Sequence, residues 1–311
     1  MNTNRPSPFR LGMLLDELAL PFEQALPVAK QLGAEYIWWG DRPVGKAITD
    51  LGPREIEAMG ECLALNGLKP LHIRAGYAFA NMETASLYAT PLNQNPAFQR
   101  DFASVTAAVS AAKRLGAGAI CTFGFAWPGE AAGKASWPMR WATRGGVISD
   151  ADMDKLYEAF SQVIELAEKH DLDVVIFQMS WNYTNTTGNF KRVAERLGSK
   201  RFKVMYNPAD SLNSGEVDVL DRGFQSIRPY VHSVHFKGVR VVDGPRGKYQ
   251  YCPLAEGDVD FETVLRQARA QTPNAVMSLA THYTPPDGSA ITAMRTNMEY
   301  VKGLIDEIDG S

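Results

Sequence analysis

The segment FKVMYNPADSL, residues 202–212, decides how the rest of the chain is read. Phe202, Val204 and Tyr206 alternate with Lys203, Met205 and Asn207, the period of a strand, and the run breaks at Pro208. Proline lacks an N–H and has a fixed φ, so it ends a ladder and suits the first turn of a helix. The segment is thus a strand handing over to a helix, with Asn207 as the last strand residue. Its amide, at a place where many enzymes carry an acid, is the first feature to explain.

Working outward, the same handover recurs along the chain. Strands are expected at Phe9–Leu14, AEYIWWG (34–40), LKPLHIRAG (68–76), AGAICTFG (117–124), LDVVIFQMS (172–180), FKVMYN (202–207), VHSVHFKG (231–238) and AVMSLATHY (275–283). Helices are expected over 21–32, 53–66, 96–115, 149–170, 188–197, 217–227, 260–271 and 290–308, with Gly33, Gly67 and Gly116 as stop signals. Strict alternation predicts a parallel sheet, and eight units in 311 residues predict a closed α/β architecture, the (β/α)8 TIM barrel, as one domain spanning 1–311. No GxGxxG or GxxxxGK[ST] pattern follows a strand, which argues against a nucleotide-binding sheet.

Composition excludes several function classes. A net charge of −3 lacks the basic excess that nucleic acid or an anionic membrane needs, so neither is expected as a partner. No apolar run approaches membrane-spanning length, and MNTNRPSPFR is polar, so no signal peptide is expected and a cytoplasmic location is. Cys62, Cys121 and Cys252 have no paired spacing and fit reduced thiols rather than a zinc site.

In a barrel, chemistry sits at the C-terminal ends of the strands. Trp38 and Trp39 end strand two, Trp127, Trp137 and Trp141 lie in the loop after strand four, and Trp181 follows strand five. Flat aromatic faces suit the apolar faces of sugar rings, although any one of these indoles could equally cap the barrel core. The loop over 124–150 is long enough to be a lid and carries Glu130, Arg140 and Arg144, which singly read as solvated. Strand parity puts His235 and Lys237 on the face of Val231 and Ser233, and His282 on the face of Ser278 and Ala280. If Gln178 points inward, Ile176 and Ser180 do too. By the same rule His232 faces the helix layer, and His72 is left open. Arg240, Arg246 and Lys248 follow strand seven and could hold a phosphate or carboxylate, or form a solvated basic loop. Asp260 reads as a helix cap.

FKVMYNPADSL, PYVHSVHFKGVR (229–240) and PLAEGDVDFETVL (253–265) resemble, in order and spacing, segments of the xylose isomerase-like TIM-barrel superfamily of sugar phosphate isomerases and epimerases. The resemblance covers nearly the whole chain. It implies one divalent ion (Mn, Mg, Co or Zn) held by a Glu, an Asp, a His and a Glu at the ends of strands five to eight, with the glutamates moving protons. Position by position these fall on Gln178, Asn207, His235 and Ala280. The histidine remains, whereas the three carboxylates are neutral, and Gly238 replaces the aspartate that usually follows the lysine. Amides bring no charge to offset dehydration of a hard cation, so at most weak binding of Mn, Mg or Zn is expected and no other cofactor. Gln and Ala cannot serve as general bases.

Three readings follow. In one, the protein is a sugar isomerase or epimerase acting on a carbohydrate or polyol derivative with rebuilt chemistry. His235, His282, Lys237 and Asp210 are then the acid–base candidates, and Gln178, Asn207, Trp38, Trp39, Trp127, Trp181 and Arg246 the substrate-binding residues. In another, the same barrel is a non-catalytic carbohydrate-binding or partner subunit. In the third, a metal is recruited through Asp210, Glu130 or Asp41. The related abasic-site endonucleases, rich in histidine and zinc, do not match five histidines and a negative net charge. The resemblance implies a homodimer or homotetramer.

Overall fold

Residues 9–128, 146–243 and 248–310 are described by the structure, a computed structural model. Among them the strands are β1 (Arg10–Leu14), β2 (Tyr36–Trp38), β3 (Lys69–Pro70), β4 (Ile73–Arg74), β5 (Ala119–Phe123), β6 (Asp173–Phe177), β7 (Phe202–Tyr206), β8 (Val231–Phe236), β9 (Gly238–Asp243), β10 (Lys248–Cys252) and β11 (Val276–Leu279). The helices are α1 (Phe22–Leu32), α2 (Pro53–Leu65), α3 (Pro96–Leu115), α4 (Asp150–Glu168), α5 (Thr187–Leu197), α6 (Pro208–Asn213), α7 (Phe224–Ile227), α8 (Phe261–Gln271) and α9 (Ala290–Gly310).

One parallel sheet runs β3-β2-β1-β11-β8-β7-β6-β5-β4. Its two ends, β3 and β4, are the halves of the single strand expected in LKPLHIRAG. The first half pairs with β2 and the second with β5, so the sheet closes into the expected barrel through a strand that changes partner midway. The last strand closes on the first, with Arg10 opposite Val276 and Met13 opposite Leu279.

Side-chain alternation divides the core in two. Outward-facing residues such as Ile73, Ile120, Ile176, Val204 and Phe236 pack under the helices, while Leu14, Trp38, Cys121, Phe123, Val175, Phe177, Met205 and Ala280 fill the lumen. On β6 the inward residues are therefore Val175 and Phe177, with Ile176 outside, which is one register off the parity tied above to Gln178. Burial of each large apolar side chain contributes roughly 1.5–3 kcal/mol.

Helix ends follow their caps. Asn95 accepts from the N–H groups of Ala97 and Phe98 at 3.1 and 3.0 Å, and α3 stops at Gly116 with φ +67°. Asp260 caps α8 through Thr263 N at 3.1 Å. The helix expected over 217–227 is instead a wide π turn, Val219–Gly223, followed by the short α7. A two-stranded antiparallel ribbon, β9 with β10, stands where a loop was expected after the seventh barrel strand. No helix among the described residues is long and apolar enough to cross a membrane.

Candidate active site

Asn207, one residue past β7, caps α6: its Oδ1 accepts from Asp210 N at 3.1 Å. Its Nδ2 donates to Asp210 Oδ2 at 2.5 Å and to the Gln178 carbonyl at 3.2 Å. Its backbone N–H donates to Gln178 Oε1 at 3.0 Å, and Gln178 Nε2 donates to the Thr184 carbonyl at 3.3 Å. Both residues are fully buried. These contacts explain the amide. The side chain must donate to two acceptors, one of them a carboxylate, and an aspartate there would have no proton to give and would face a like charge.

Asp210 Oδ2 also takes the Lys237 ammonium at 2.8 Å, and both side chains are almost wholly buried. Lys237 continues the inward face of β8, one residue past the strand. The ring of Tyr251, carried on β10, lies 5.7 Å from Nζ and 5.1 Å from the His282 ring. Burial, and then the charges of Asp210 and Glu17, push the Tyr251 phenol up, so it remains a donor.

His282 follows β11 with φ +59°, a left-handed conformation unusual for a side-chain-bearing residue. Glu17, in the turn after β1, holds it there. Glu17 Oε1 meets His282 Nδ1 at 2.8 Å, and Oε2 accepts from His282 N at 2.9 Å and from the Thr281 hydroxyl. Burial raises the Glu17 pKa, but the hydrogen bond and charge of His282, with Thr281, outweigh it and lower it to about 2. With Nδ1 engaged, Nε2 is the ring nitrogen left for proton exchange.

His235 is fully buried in the lumen, its ring 5.0 Å from Phe177, 5.8 Å from Trp38 and 6.3 Å from His282. Burial, then the charge of Lys237, holds its pKa well below the usual histidine range, so the ring is neutral. Neither ring nitrogen has a hydrogen-bond partner among the described residues. Trp38 Nε1 donates to Ser278 Oγ at 2.7 Å, fixing the indole across the lumen.

The expected residues separate accordingly. His235, His282, Lys237, Asp210, Gln178, Asn207 and Trp38 gather at the strand ends. Trp39 does not: consecutive strand residues face opposite ways, and its ring packs edge-on against Phe22 at 5.6 Å under the helices. Trp127 packs 4.2 Å from Tyr183 in the same outer core. Trp181 donates to the Ala80 carbonyl at 3.1 Å. His232 is also corrected. A register shift places Val204 opposite Val231 and Met205 opposite Ser233, so His232 is an extra bulged residue. It therefore turns toward the lumen, 6.3 Å from His72, whose ring in turn lies 5.2 Å from Trp38. Arg240 is held by Glu256, through its carbonyl at 2.8 Å and its carboxylate at 3.4 Å. Arg246, Trp137, Trp141, Glu130, Arg140, Arg144 and most of the expected lid lie outside the described residues. Glu17, Tyr251 and Arg74 were missed. The rule that barrel chemistry follows strand ends could have found Glu17 after β1 and Arg74 at the end of β4.

A divalent ion would have to be held by two amides already bonded to protein, one imidazole and the Ala280 methyl, beside an ammonium paired with the nearest carboxylate. No cluster of three metal-capable side chains occurs among the described residues. The donor set does not fit such an ion.

The sequence profile of the family described as xylose isomerase-like TIM barrel matches residues 26–303. No curated protein sequence matches. Among solved structures, L-ribulose 3-epimerase is similar with a TM-score of 0.70 at 13% identity, over 96% of this chain and 95% of that one. The 3-keto-D-glucoside 4-epimerase YcjR from E. coli gives 0.69 at 14%, over 96% and 100%. The probable 3-DHS dehydratase AsbF from Bacillus anthracis gives 0.67 at 16%, over 94% and 99%. At these identities the likeness is one of fold.

Proposed function

Because the chain belongs to the xylose isomerase-like TIM-barrel family, we propose that it is a sugar isomerase or epimerase that moves a proton beside a carbonyl using protein groups alone. The observation that carries this reading is the Glu17–His282 pair, 2.8 Å apart, with the Tyr251 ring 5.1 Å from His282 and 5.7 Å from the Lys237 ammonium. A carboxylate that fixes one ring nitrogen and leaves the other for the reaction is the usual way to orient an imidazole base. In the proposed step His282 Nε2 takes the proton from the carbon next to the substrate carbonyl. The Lys237 ammonium hydrogen-bonds the carbonyl oxygen as it gains negative charge, and Asp210 holds that ammonium in place. Return of the proton to the former carbonyl carbon, with the hydroxyl proton of the first carbon passing to the former carbonyl oxygen, isomerises the sugar. For epimerisation the Tyr251 phenol delivers a proton to the opposite face of the same carbon, and exchange with solvent resets both groups. No electrons leave the substrate.

The sugar-like substrate is supported by the family and by Trp38 across the lumen. The three free thiols, Cys62, Cys121 and Cys252, support a cytoplasmic setting, and a homodimer or homotetramer remains part of the proposal. A second reading, a carbohydrate-binding or partner subunit without turnover, is favoured by the closed Gln178–Asn207 contact, in which the family's catalytic positions bond to each other. Proton NMR of ketoses and 3-keto sugars in D₂O separates the two. The enzyme reading expects deuterium at the carbon beside the carbonyl, abolished in His282→Gln and Lys237→Met. Binding without exchange across the panel would transfer support to the second reading.

A further inference from the structure

Arg74, the last residue of β4, stands at the lumen wall and is as a residue only 7% exposed. Its Nε donates to the Gly76 carbonyl at 3.0 Å. Its Cζ lies 4.3 Å from the ring centre of Tyr77 and 5.0 Å from that of Phe123, two rings that stack on each other at 5.7 Å with 10° between their planes. These contacts occupy one N–H and a face of the guanidinium. They leave the edge that carries both terminal nitrogens, and no carboxylate forms an ion pair with it among the described residues.

The contrast with the other buried cation is direct. Lys237 has Asp210 at 2.8 Å, whereas Arg74 has aromatic faces and one carbonyl. Withdrawing a cation from water without a counter-ion is costly, and an aromatic face offsets a small part of that cost. Arginine's fork of parallel N–H donors matches a planar or tetrahedral oxyanion in a way no neutral hydroxyl does. Arg74 also belongs to the lumen that holds the proposed reaction. Phe123 touches Phe177 at 5.7 Å, and Phe177 touches His235 at 5.0 Å.

We infer that Arg74 binds an anionic group on the substrate, a carboxylate or a phosphate, so that the substrate class is acidic sugars or sugar phosphates rather than neutral sugars. The inference rests on the sugar reading above and narrows it. Tyr77 and Phe123 hold the guanidinium plane, and the substrate's oxyanion accepts from its two terminal nitrogens. The hydroxyls and carbonyl then extend toward Lys237 and His282.

The test uses one carbon skeleton with three ends: D-fructose, D-fructuronate and D-fructose 6-phosphate, titrated calorimetrically into the intact protein and into Arg74→Met and Arg74→Lys. The inference expects at least one anionic form to bind tenfold or more tightly than D-fructose, and which one wins separates carboxylate from phosphate. Arg74→Met should erase that preference, so that neither anionic form binds more tightly than D-fructose. Arg74→Lys, which keeps the charge and loses the fork, should retain part of it. Equal binding of all three by the unaltered protein, or an anion preference that survives Arg74→Met, would overturn the inference and leave the sugar reading standing. Binding of succinate and inorganic phosphate, lost in Arg74→Met, without binding of any of the three sugars, would sustain the anion site and sink the sugar reading.

Discussion

Two pairs of histidine rings stand in the barrel with the same 6.3 Å between their centres, His72 with His232 and His235 with His282. Their surroundings make them chemically different. His232 has the Ser233 hydroxyl at 3.3 Å, and burial, then the charge of Lys203, pushes its pKa down to about 4. His72 is driven well below the usual range by burial first and then by His232 and Arg74. That pair is neutral packing in the lumen. In the other pair, His282 has a carboxylate at 2.8 Å and a phenol ring at 5.1 Å, and that ring has an ammonium 5.7 Å from its centre. Proximity of imidazoles does not make a site. A carboxylate placed on one ring nitrogen, with the second left open to the mouth, does.

The largest effect should fall on exchange chemistry. His282→Gln is expected to slow deuterium incorporation by about 10²–10⁴-fold, the usual contribution of a positioned base, whereas His232→Gln should change it by less than about threefold. Equal losses in both would erase the distinction between the pairs.

Stability should fall on acidification for both kinds of group, in different pH windows. His232 is about 4 folded against 6.5 unfolded. The unfolded chain therefore binds protons first, and stability is lost as pH falls from 6.5 toward 4, by about 3 kcal/mol for this residue. Urea unfolding at pH 7 and pH 4.5 measures the loss, and His232→Gln should flatten it. Glu17, depressed to about 2 from 4.5, contributes stability that is present above pH 4.5 and lost as pH falls through 2.

Asn207→Asp would set a second carboxylate 2.5 Å from Asp210 and remove two donated hydrogen bonds. A loss of about 2 kcal/mol in chemical denaturation at pH 7 is expected. The smallest effect, about 1 kcal/mol, is expected for Glu17→Gln, which keeps an acceptor for the Thr281 hydroxyl and the His282 N–H but loses the charge. It should also reduce exchange, which a purely structural glutamate would leave alone.

Much of the barrel was legible because its signals are local. Asn95 and Gly116 bracket α3 at both ends, and eight strand-to-helix handovers need only short windows to be seen. The ribbon β9–β10 was missed although DG lies between alternating segments, because its residues were read as a basic loop. Parity failed at His232 because one bulged residue reverses the alternation on which parity rests. It failed at Trp39 because a doublet was read as a single wall. The site's decisive contact joins Glu17 and His282, 265 residues apart, and no spacing rule connects them. What the sequence did carry was the neutral set Gln178, Asn207 and Ala280, and the structure supplies the reason for Asn207: it donates where an acid would repel.

The partner change in the third strand gives the cylinder a seam. On one side of it the ladder spans only Tyr36–Ile37 against Lys69–Pro70, and on the other Ile73–Arg74 against Ile120–Cys121. Elsewhere β5 runs against β6 for the full length of both strands. A ring parts where its fastening is shortest, so sub-global breathing should begin here, with the amides of Leu71 and Ala75 exchanging before those of β6. His72 and Arg74 sit on the two lips of that opening. The lumen therefore has a lateral clasp as well as a mouth, and the residue that would grip an anion is riveted to the clasp.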